Sequence, residues 1–478
     1  MKIEPFRHNP VKRFLLNVPI TLATLTLGLA FGKPLNVLLI TIDDLRTEIG
    51  SYGVDYSTTP NMDRLAAKGL KFENAFCQYP VCNSSRSSFL TGLRPDELGI
   101  HSNKVALRDK WPDIVTLPQL FRNNGYYSAG IGKLFHAGKD ENGVRALFRD
   151  DASFDHFFRA YHQSRKEQKA AFDDGRGRFL GDGTVGWAHW IAADGGDLAQ
   201  PDGMNAQEAV RVLEENHDKP FFIGVGFHKP HDPFIAPKEY FDLFPLDEIE
   251  LPVEPSDRVA RLHYDTPRNY NFLTFEDRDR REFKRAYLAC TAFVDAQIGK
   301  VLDALDRLDL WDSTIVVLMS DHGYHLGEHQ WWNKVTVYDI GARGPFIIWV
   351  PGSAHMGRPS DEVVEFVDLY PTIADLCDLD TPHAMSGQSL RPLLEGEAFV
   401  SKPAYTQVVR SKIGMGYSVR FGDYRFTQWG QDGEGGYELY NTVKDKIGYY
   451  NLVDNPEYAS IRDELSALLK KGYSSLGN

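Results

Sequence analysis

A chain of 478 residues with 42% hydrophobic and 12% aromatic side chains holds enough apolar material for a sizeable core, which excludes a fibrous or disordered protein and favours a globular enzyme. Its formal net charge of −13 excludes a general nucleic-acid binder, although a local pocket of Arg, Lys and His can still favour an anionic ester. Length alone fits two or three units, or one large α/β domain with a smaller appendage.

Lys2, Arg7, Lys12 and Arg13 precede an apolar run, FLLNVPITLATLTLGLAFG at 14–32, that ends in small residues. This reads as a secretory signal peptide over residues 1–32, cleaved near 30–33, with an uncleaved membrane anchor as the alternative. Asn17, Pro19 and the threonines dilute the run and favour cleavage, so the expectation is an exported protein, periplasmic or extracellular, without a stable membrane span. The next segment, PLNVLLITIDD, is a continuous apolar run of strand length, as expected for a strand buried on both faces of a parallel sheet. Runs of the same kind are PFFIGVGFHKPH at 220–231, TIVVLMSDHG at 314–323 and PFIIWVPG at 345–352. Helical patterns lie between them: NMDRLAAKGL at 61–70 with its stop at Gly69, TLPQLFRNNG at 116–125 with Thr116 as cap, and a long amphipathic stretch at 275–308. Residues 137–215 and 230–275 lack clear periodicity and are expected to be long loops, and VVEFVDLYPTIADLCDL at 363–379 is expected to be a helix closing the large domain. Beyond residue 400 the short alternating runs AYTQVVR, GYSVRFGDYRFTQW and YELYN predict a small antiparallel sheet, followed by a terminal helix in EYASIRDELSALLKKG. The fold class is therefore α/β, a large mixed and mostly parallel sheet flanked by helices (33–395) with a smaller C-terminal α+β subdomain (396–478).

The chemistry-bearing residues cluster at the ends of these strands. In open α/β sheets ligands bind outside the carboxyl ends of the strands, so distant strand ends can meet in one site. Asp43 and Asp44 end the first strand and Asp321 and His322 end a later one; a solvated turn explains either pair alone, while both together suit a hard divalent cation. In CQYPVCNSSRSSFLTGLRP at 77–95 a thiol, Cys82, is followed by small polar residues and by Arg86, an odd neighbour for an inert buried cysteine. The four cysteines, at 77, 82, 290 and 377, have no metal-type spacing, and a Cys77–Cys82 disulfide is the alternative reading of that segment. Lys133 and His136 sit in glycine-flanked GIGKLFHAG, where a surface helix pair is the bland alternative; His228 follows a buried strand in GFHKPHDPF, with His231 nearby; Lys334 ends SDHGYHLGEHQWWNK.

Cys82, Arg86 and Leu90-Thr91-Gly92 resemble the activation motif of the sulfatase family, Cys-x-Pro/Ala-x-Arg followed by Leu-Thr-Gly, with Ser84 departing from the usual Pro or Ala. The ordered set Asp43, Asp44, Cys82, Arg86, Lys133, His136, His228, Asp321, His322 and Lys334 resembles a type I sulfatase over about residues 35–395, most like the iduronate 2-sulfatase branch. The resemblance implies an alkaline-phosphatase/sulfatase-like fold and a sulfuric ester hydrolase acting on a sulfated carbohydrate, a 2-O-sulfated uronic acid among the candidates. It implies one calcium ion on Asp43, Asp44, Asp321 and His322 together with residue 82, and a formylglycine made from Cys82 by a maturation enzyme, whose hydrate attacks sulfur. It implies catalytic roles for Cys82, Arg86, Lys133, His136, His228 and Lys334. Two other readings stay open: a phosphate or phosphonate monoester hydrolase of the same superfamily, and a non-catalytic sulfated-glycan-binding protein. For specificity, Tyr324, His325, Trp187, His189 and Trp190 are candidates for sugar contact, with packing as the alternative.

Overall fold

The run Asn36–Asp43 is buried along its whole length because each of its faces is covered by a separate apolar layer. Alternation of side chains sends Val37 and Leu39 into one layer, with Phe89, Leu117 and Ile373, and Leu38, Ile40 and Ile42 into the other, with Val294, Ile298 and Leu302. Truncating Leu38 or Ile40 to Ala would leave a void costing about 2–5 kcal/mol. The computed structural model describes residues 34–136, 149–160, 165–258, 262–353, 357–473 and 476; the expected signal segment, 1–32, lies outside the described residues. No described helix is long and apolar enough to cross a membrane.

The central sheet has eight strands in the order Pro359–Glu365, Leu70–Phe76, Phe346–Trp349, Thr314–Ser320, Asn36–Asp43, Phe221–Pro230, Tyr127–Gly132 and His156–Phe158. Every pairing is parallel except those of Phe346–Trp349, which runs against both neighbours. The expectation of a parallel strand at 345–352 therefore fails in direction: an apolar run reports burial on both faces, which an inserted antiparallel strand also has. Asn36–Asp43 lies between Phe221–Pro230 and Thr314–Ser320 in parallel register, Ile42 opposite Phe227 on one side and Ser320 on the other. That register brings the carboxyl ends of all three strands together.

Helices cover the sheet where the sequence predicts them, Pro60–Lys68 closed by Gly69, Leu117–Asn123 with the Thr116 hydroxyl accepting from the Gln119 amide, and the 31-residue Asp277–Arg307. Two expectations are corrected. The stretch 363–379 opens as strand, because Val363 and Val364 pair with Asn74 and Ala75; the α-helix is confined to Leu369–Leu376. The region 137–215, read as loop, contains the helix Pro201–Asn216 and the strand His189–Ala193, which pairs with Gly177–Phe179 and Phe234–Pro237. Asp, Gly and Asn in the first turn of that helix masked its period, yet Asp202, Asn205 and Ala206 are buried against the sheet. The C-terminal runs form an antiparallel sheet, Ala404–Arg410, Gly414–Phe421, Tyr424–Trp429 and Gly436–Asn441, backed by Ala459–Gly472, whose Leu465 and Leu469 join Val419 and Phe426.

Candidate active site

Cys82 is the first residue of the helix Cys82–Thr91, all ten residues of which are buried. The Cys82 Sγ lies 3.1 Å from Lys334 Nζ and 3.9 Å from Asp44 Oδ1, and Lys334 Nζ also donates to that same carboxylate oxygen. All four cysteines are free, so Cys77 and Cys82 are not joined. Burial and the charge of Asp43 push the Cys82 thiol well above its ordinary value, the opposite of an activated thiolate. Arg86 does not serve the sulfur: its Nε donates to Asp321 Oδ2 at 3.0 Å, its Nη2 to Asp43 Oδ1 at 3.4 Å, and its Nη1 to the carbonyls of Lys133 and Leu134. Arg86 thus braces two carboxylates from different strand ends. Ser84, the departure from the motif, is fully buried in the first turn, where the backbone N–H has no intrahelical acceptor and Pro, Ala and Ser all fit.

The acidic residues arrive from two strand ends. Asp44 has φ of +63°, a conformation that Asp tolerates better than most side chains. Its amide donates to Asp321 Oδ1 at 3.1 Å and its carbonyl accepts from the Tyr287 hydroxyl at 2.8 Å. His322 Nε2 stands 3.4 Å from Asp44 Oδ1 and 3.6 Å from Asp321 Oδ1, its Nδ1 facing the Gly323 carbonyl at 3.0 Å. Asp43, Asp44, Cys82 and His322 offer ligand atoms that all lie within 4.8 Å of one another. Asp44 Oδ2 and His322 Nε2 are buried and make no hydrogen bond within the chain. Two orphaned acceptors beside a carboxylate pair form a donor set that fits a metal ion.

Lys133, Lys334 and Arg86 place three cations around that cluster. Lys133, just past the strand Tyr127–Gly132, donates from Nζ to Asp43 Oδ2, so it is no surface helix residue. Burial alone would raise Asp43, but Lys133, His231 and Arg86 outweigh it and hold the carboxyl well below the usual range; Asp321, buried beside Asp43, is pushed up instead. Burial works against a charge on Lys334, yet the Asp44 carboxylate holds its ammonium well above its ordinary value. Burial, then the charge of Lys133, pulls His136 down to about 2, and burial also lowers His322, so both imidazoles are neutral at pH 7. His228 Nδ1 lies 3.5 Å from Asp43 Oδ2, its backbone N–H held by the Asp202 carboxylate at 3.0 Å.

All ten expected site residues therefore meet at the carboxyl end of the sheet. Sequence reasoning named His231 only as a neighbour of His228 and passed over Asp202 and Tyr287. His231 packs against His228 with tilted rings, 4.7 Å between centroids, and reaches within 3.9 Å of Asp44 Oδ2; its place in the same HKPH run was the available signal. Asp202 and Tyr287 orient His228 and Asp44 from helices and carry no motif. The specificity candidates are packing residues: Tyr324 is fully buried and stacks on Tyr287, His325 bonds Thr336 Oγ1 at 2.6 Å, Trp187 packs on Tyr270 and Phe272, and Trp190 donates to Glu282. His189, also buried, packs edge-on to Phe172.

Against known proteins, residues 35–379 match the sulfatase family, and residues 327–474 match the C-terminal region of N-sulphoglucosamine sulphohydrolase. Iduronate 2-sulfatase of Homo sapiens is 32% identical over 87% of this chain and 88% of its own, and a sulfatase of Formosa agariphila is 33% identical over 92% and 87%. Among solved structures, a protein bound to its substrate D-glucosamine-2-N,6-O-disulfate superposes with a TM-score of 0.72 at 24% identity, over 93% of this chain and 98% of the other. The phosphonate monoester hydrolase of Agrobacterium radiobacter superposes with 0.74 at 21% identity, over 92% and 96%.

Proposed function

The chain belongs to the sulfatase family, and from that premise we propose that it is an exported sulfuric ester hydrolase that removes sulfate from a sulfated polysaccharide or oligosaccharide. The observation that carries the reading is the position of residue 82 at the start of a buried helix, in reach of Lys334 and Asp44 at the meeting point of three strand ends. The names of its relatives support a sugar sulfate, and iduronate 2-sulfatase makes a 2-O-sulfated uronic acid the first substrate to try.

One calcium ion held by Asp43, Asp44, Asp321 and His322 with residue 82 would supply Lewis-acid stabilisation of sulfate oxygens, and a formylglycine made from Cys82 by a maturation enzyme would supply a geminal diol as releasable nucleophile. The chain's own residues do the rest. Arg86 keeps Asp43 and Asp321 fixed relative to each other and to the Lys133 backbone. Lys133 and Lys334, both charged and nearly buried, present ammonium groups where negative charge collects on the sulfuryl oxygens. In this reading Lys334 and His228 would supply a proton to the leaving alcohol oxygen, and His136, held neutral by burial and by Lys133, would assist the release step through a hydrogen bond from its ring.

Mass spectrometry of the peptide carrying residue 82, from protein made in its native host, tests the reading together with release of sulfate and phosphate from matched aryl esters. Conversion of the thiol to an aldehyde with sulfate release dominant is expected. An intact thiol would overturn the hydrolase reading in favour of a non-catalytic glycan binder, and dominant phosphate release would overturn the sulfatase assignment.

A further inference from the structure

Lys334 is delivered to the site by an unusual turn. The residue after it, Val335, has φ of +68°, a region that a β-branched side chain occupies only under restraint. Locally, the Lys334 amide donates to Asn333 Oδ1 at 2.7 Å and its carbonyl accepts from Trp331 Nε1 at 2.8 Å. Both of those partners lie within the same loop and move with it.

The restraint from outside the loop comes from the C-terminal sheet. Arg410 ends the strand Ala404–Arg410 and is 6% exposed. Its guanidinium lies 5.1 Å over the Trp429 ring and donates from Nη2 to the Val335 carbonyl at 2.9 Å, from Nε to the Tyr264 carbonyl at 2.8 Å, and from Nη2 and Nη1 to the carbonyls of Asp265 and Val409 at 3.2 Å. A buried cation whose donors all go to main-chain carbonyls of two loops and its own strand is a structural clamp, and only a planar fork can make these bonds at once. The same edge strand also grips the segment leading into Cys82: the Gln407 amide donates to the Gln78 carbonyl, the Thr406 hydroxyl to the Cys77 carbonyl, and the Val409 amide to the Tyr79 hydroxyl. One strand of the C-terminal sheet therefore sets the relative placement of residue 82 and Lys334.

We propose that Arg410 is a positioning residue for Lys334, holding Val335 in its left-handed conformation so that the Lys334 ammonium stays against residue 82 and Asp44. The inference rests on the sulfatase reading for its kinetic consequence, in which Lys334 assists the leaving oxygen. Misplacement of a catalytic group by about 1 Å costs on the order of 100-fold. That loss falls mainly on esters whose leaving alcohol needs a proton.

The test compares Arg410→Gln, Arg410→Lys and the double variant Arg410→Gln/Val335→Gly with the unaltered enzyme, on 4-nitrophenyl sulfate and on a sulfated sugar, with conversion at residue 82 measured by mass. Expected is a kcat loss of about 100-fold on the sugar sulfate, and about tenfold or less on the aryl ester. Glycine at 335 takes positive φ freely and is expected to recover most of that loss. A merely structural role would lower both substrates alike and would not respond to glycine; either result overturns the proposal. Where Arg410→Gln does not fold, Arg410→Lys, which keeps the charge without the fork, gives the same comparison. A crystal structure of the variant with Cys82 unconverted reads the inference independently of turnover: Lys334 Nζ beyond hydrogen-bond reach of Sγ supports it, and an unmoved Lys334 refutes it. An unaltered enzyme that hydrolyses neither ester would instead remove the functional reading and leave the crystallographic result to decide the positioning role.

Discussion

Arg86→Met removes a fully buried guanidinium and leaves two buried carboxylates facing each other. Asp321 Oδ2 loses its 3.0 Å donor, Asp43 Oδ1 loses its 3.4 Å donor, and the carbonyls of Lys133 and Leu134 lose an N–H. Breaking a buried pair by deleting one partner costs about 3–5 kcal/mol, because the remaining charge cannot be solvated. Lys133 still neutralises part of Asp43, which places the expected loss near about 3 kcal/mol, a change of roughly 150-fold in the folding equilibrium. The assay is urea unfolding of the unconverted protein in chelator and again in excess calcium. A cation bound by the same carboxylates would offset the missing guanidinium, so the loss should shrink when calcium is present. A loss below about 1 kcal/mol in chelator would refute the assignment of Arg86 as a brace. An identical loss in both buffers would refute the metal assignment while leaving the brace intact.

Gly226→Ala is expected to abolish most activity, since a Cβ there would meet the Lys133 carbonyl at 2.1 Å and displace the peptide that carries Lys133; activity equal to the unaltered enzyme on 4-nitrophenyl sulfate would contradict this. Asp295, which accepts from the amides of Asn61 and Met62, is raised by burial to about 6. Its folded value lies above the unfolded value of about 3.9, so the stability it contributes is complete below pH ~4 and is lost as pH rises through 6, about 3 kcal/mol in all. Asp295→Asn should therefore gain on the unaltered chain by that amount between pH 4 and pH 8 in denaturation curves, and parallel pH profiles would rule it out. Ser84→Pro should leave thermal stability within a few degrees, because the first helical turn accommodates proline, while raising the fraction of residue 82 converted in a host whose maturation enzyme prefers Pro; unchanged conversion would show that Ser84 is no handicap.

The parts of this molecule that could be read from its sequence are those where one local pattern has one structural outcome. PLNVLLITIDD could only be a strand covered on both faces, and Gly69 stopped its helix where expected. The run at 345–352 was equally apolar, but its direction depends on pairing with Leu70–Phe76 and Thr314–Ser320, which no local pattern encodes. The helix Pro201–Asn216 was hidden because its first turn spends Asp202 on the backbone of His228 and Asn205 on Ala160, polar residues buried for a partner far away in the chain. The same division runs through the site. The ten motif residues were legible because chemistry restricts them to a few side-chain types. Asp202 and Tyr287 were not, because orienting a neighbour demands only a hydrogen bond at one place in space.

That distinction bears on what the C-terminal sheet is for. Nothing in AYTQVVR marks Arg410 as more than a surface charge ending an edge strand, yet it is 6% exposed and tied to the carbonyl after Lys334. An edge strand left open would invite pairing with other chains, and here its free side is taken up by the segment Cys77–Tyr79. The sheet thus solves its own edge problem with the backbone that leads into residue 82. Because the two constraints share one strand, a substitution that loosens Ala404–Arg410 is expected to disturb the segment leading into residue 82 and the Lys334 turn together. Among the described residues, the site is assembled by both parts of the fold.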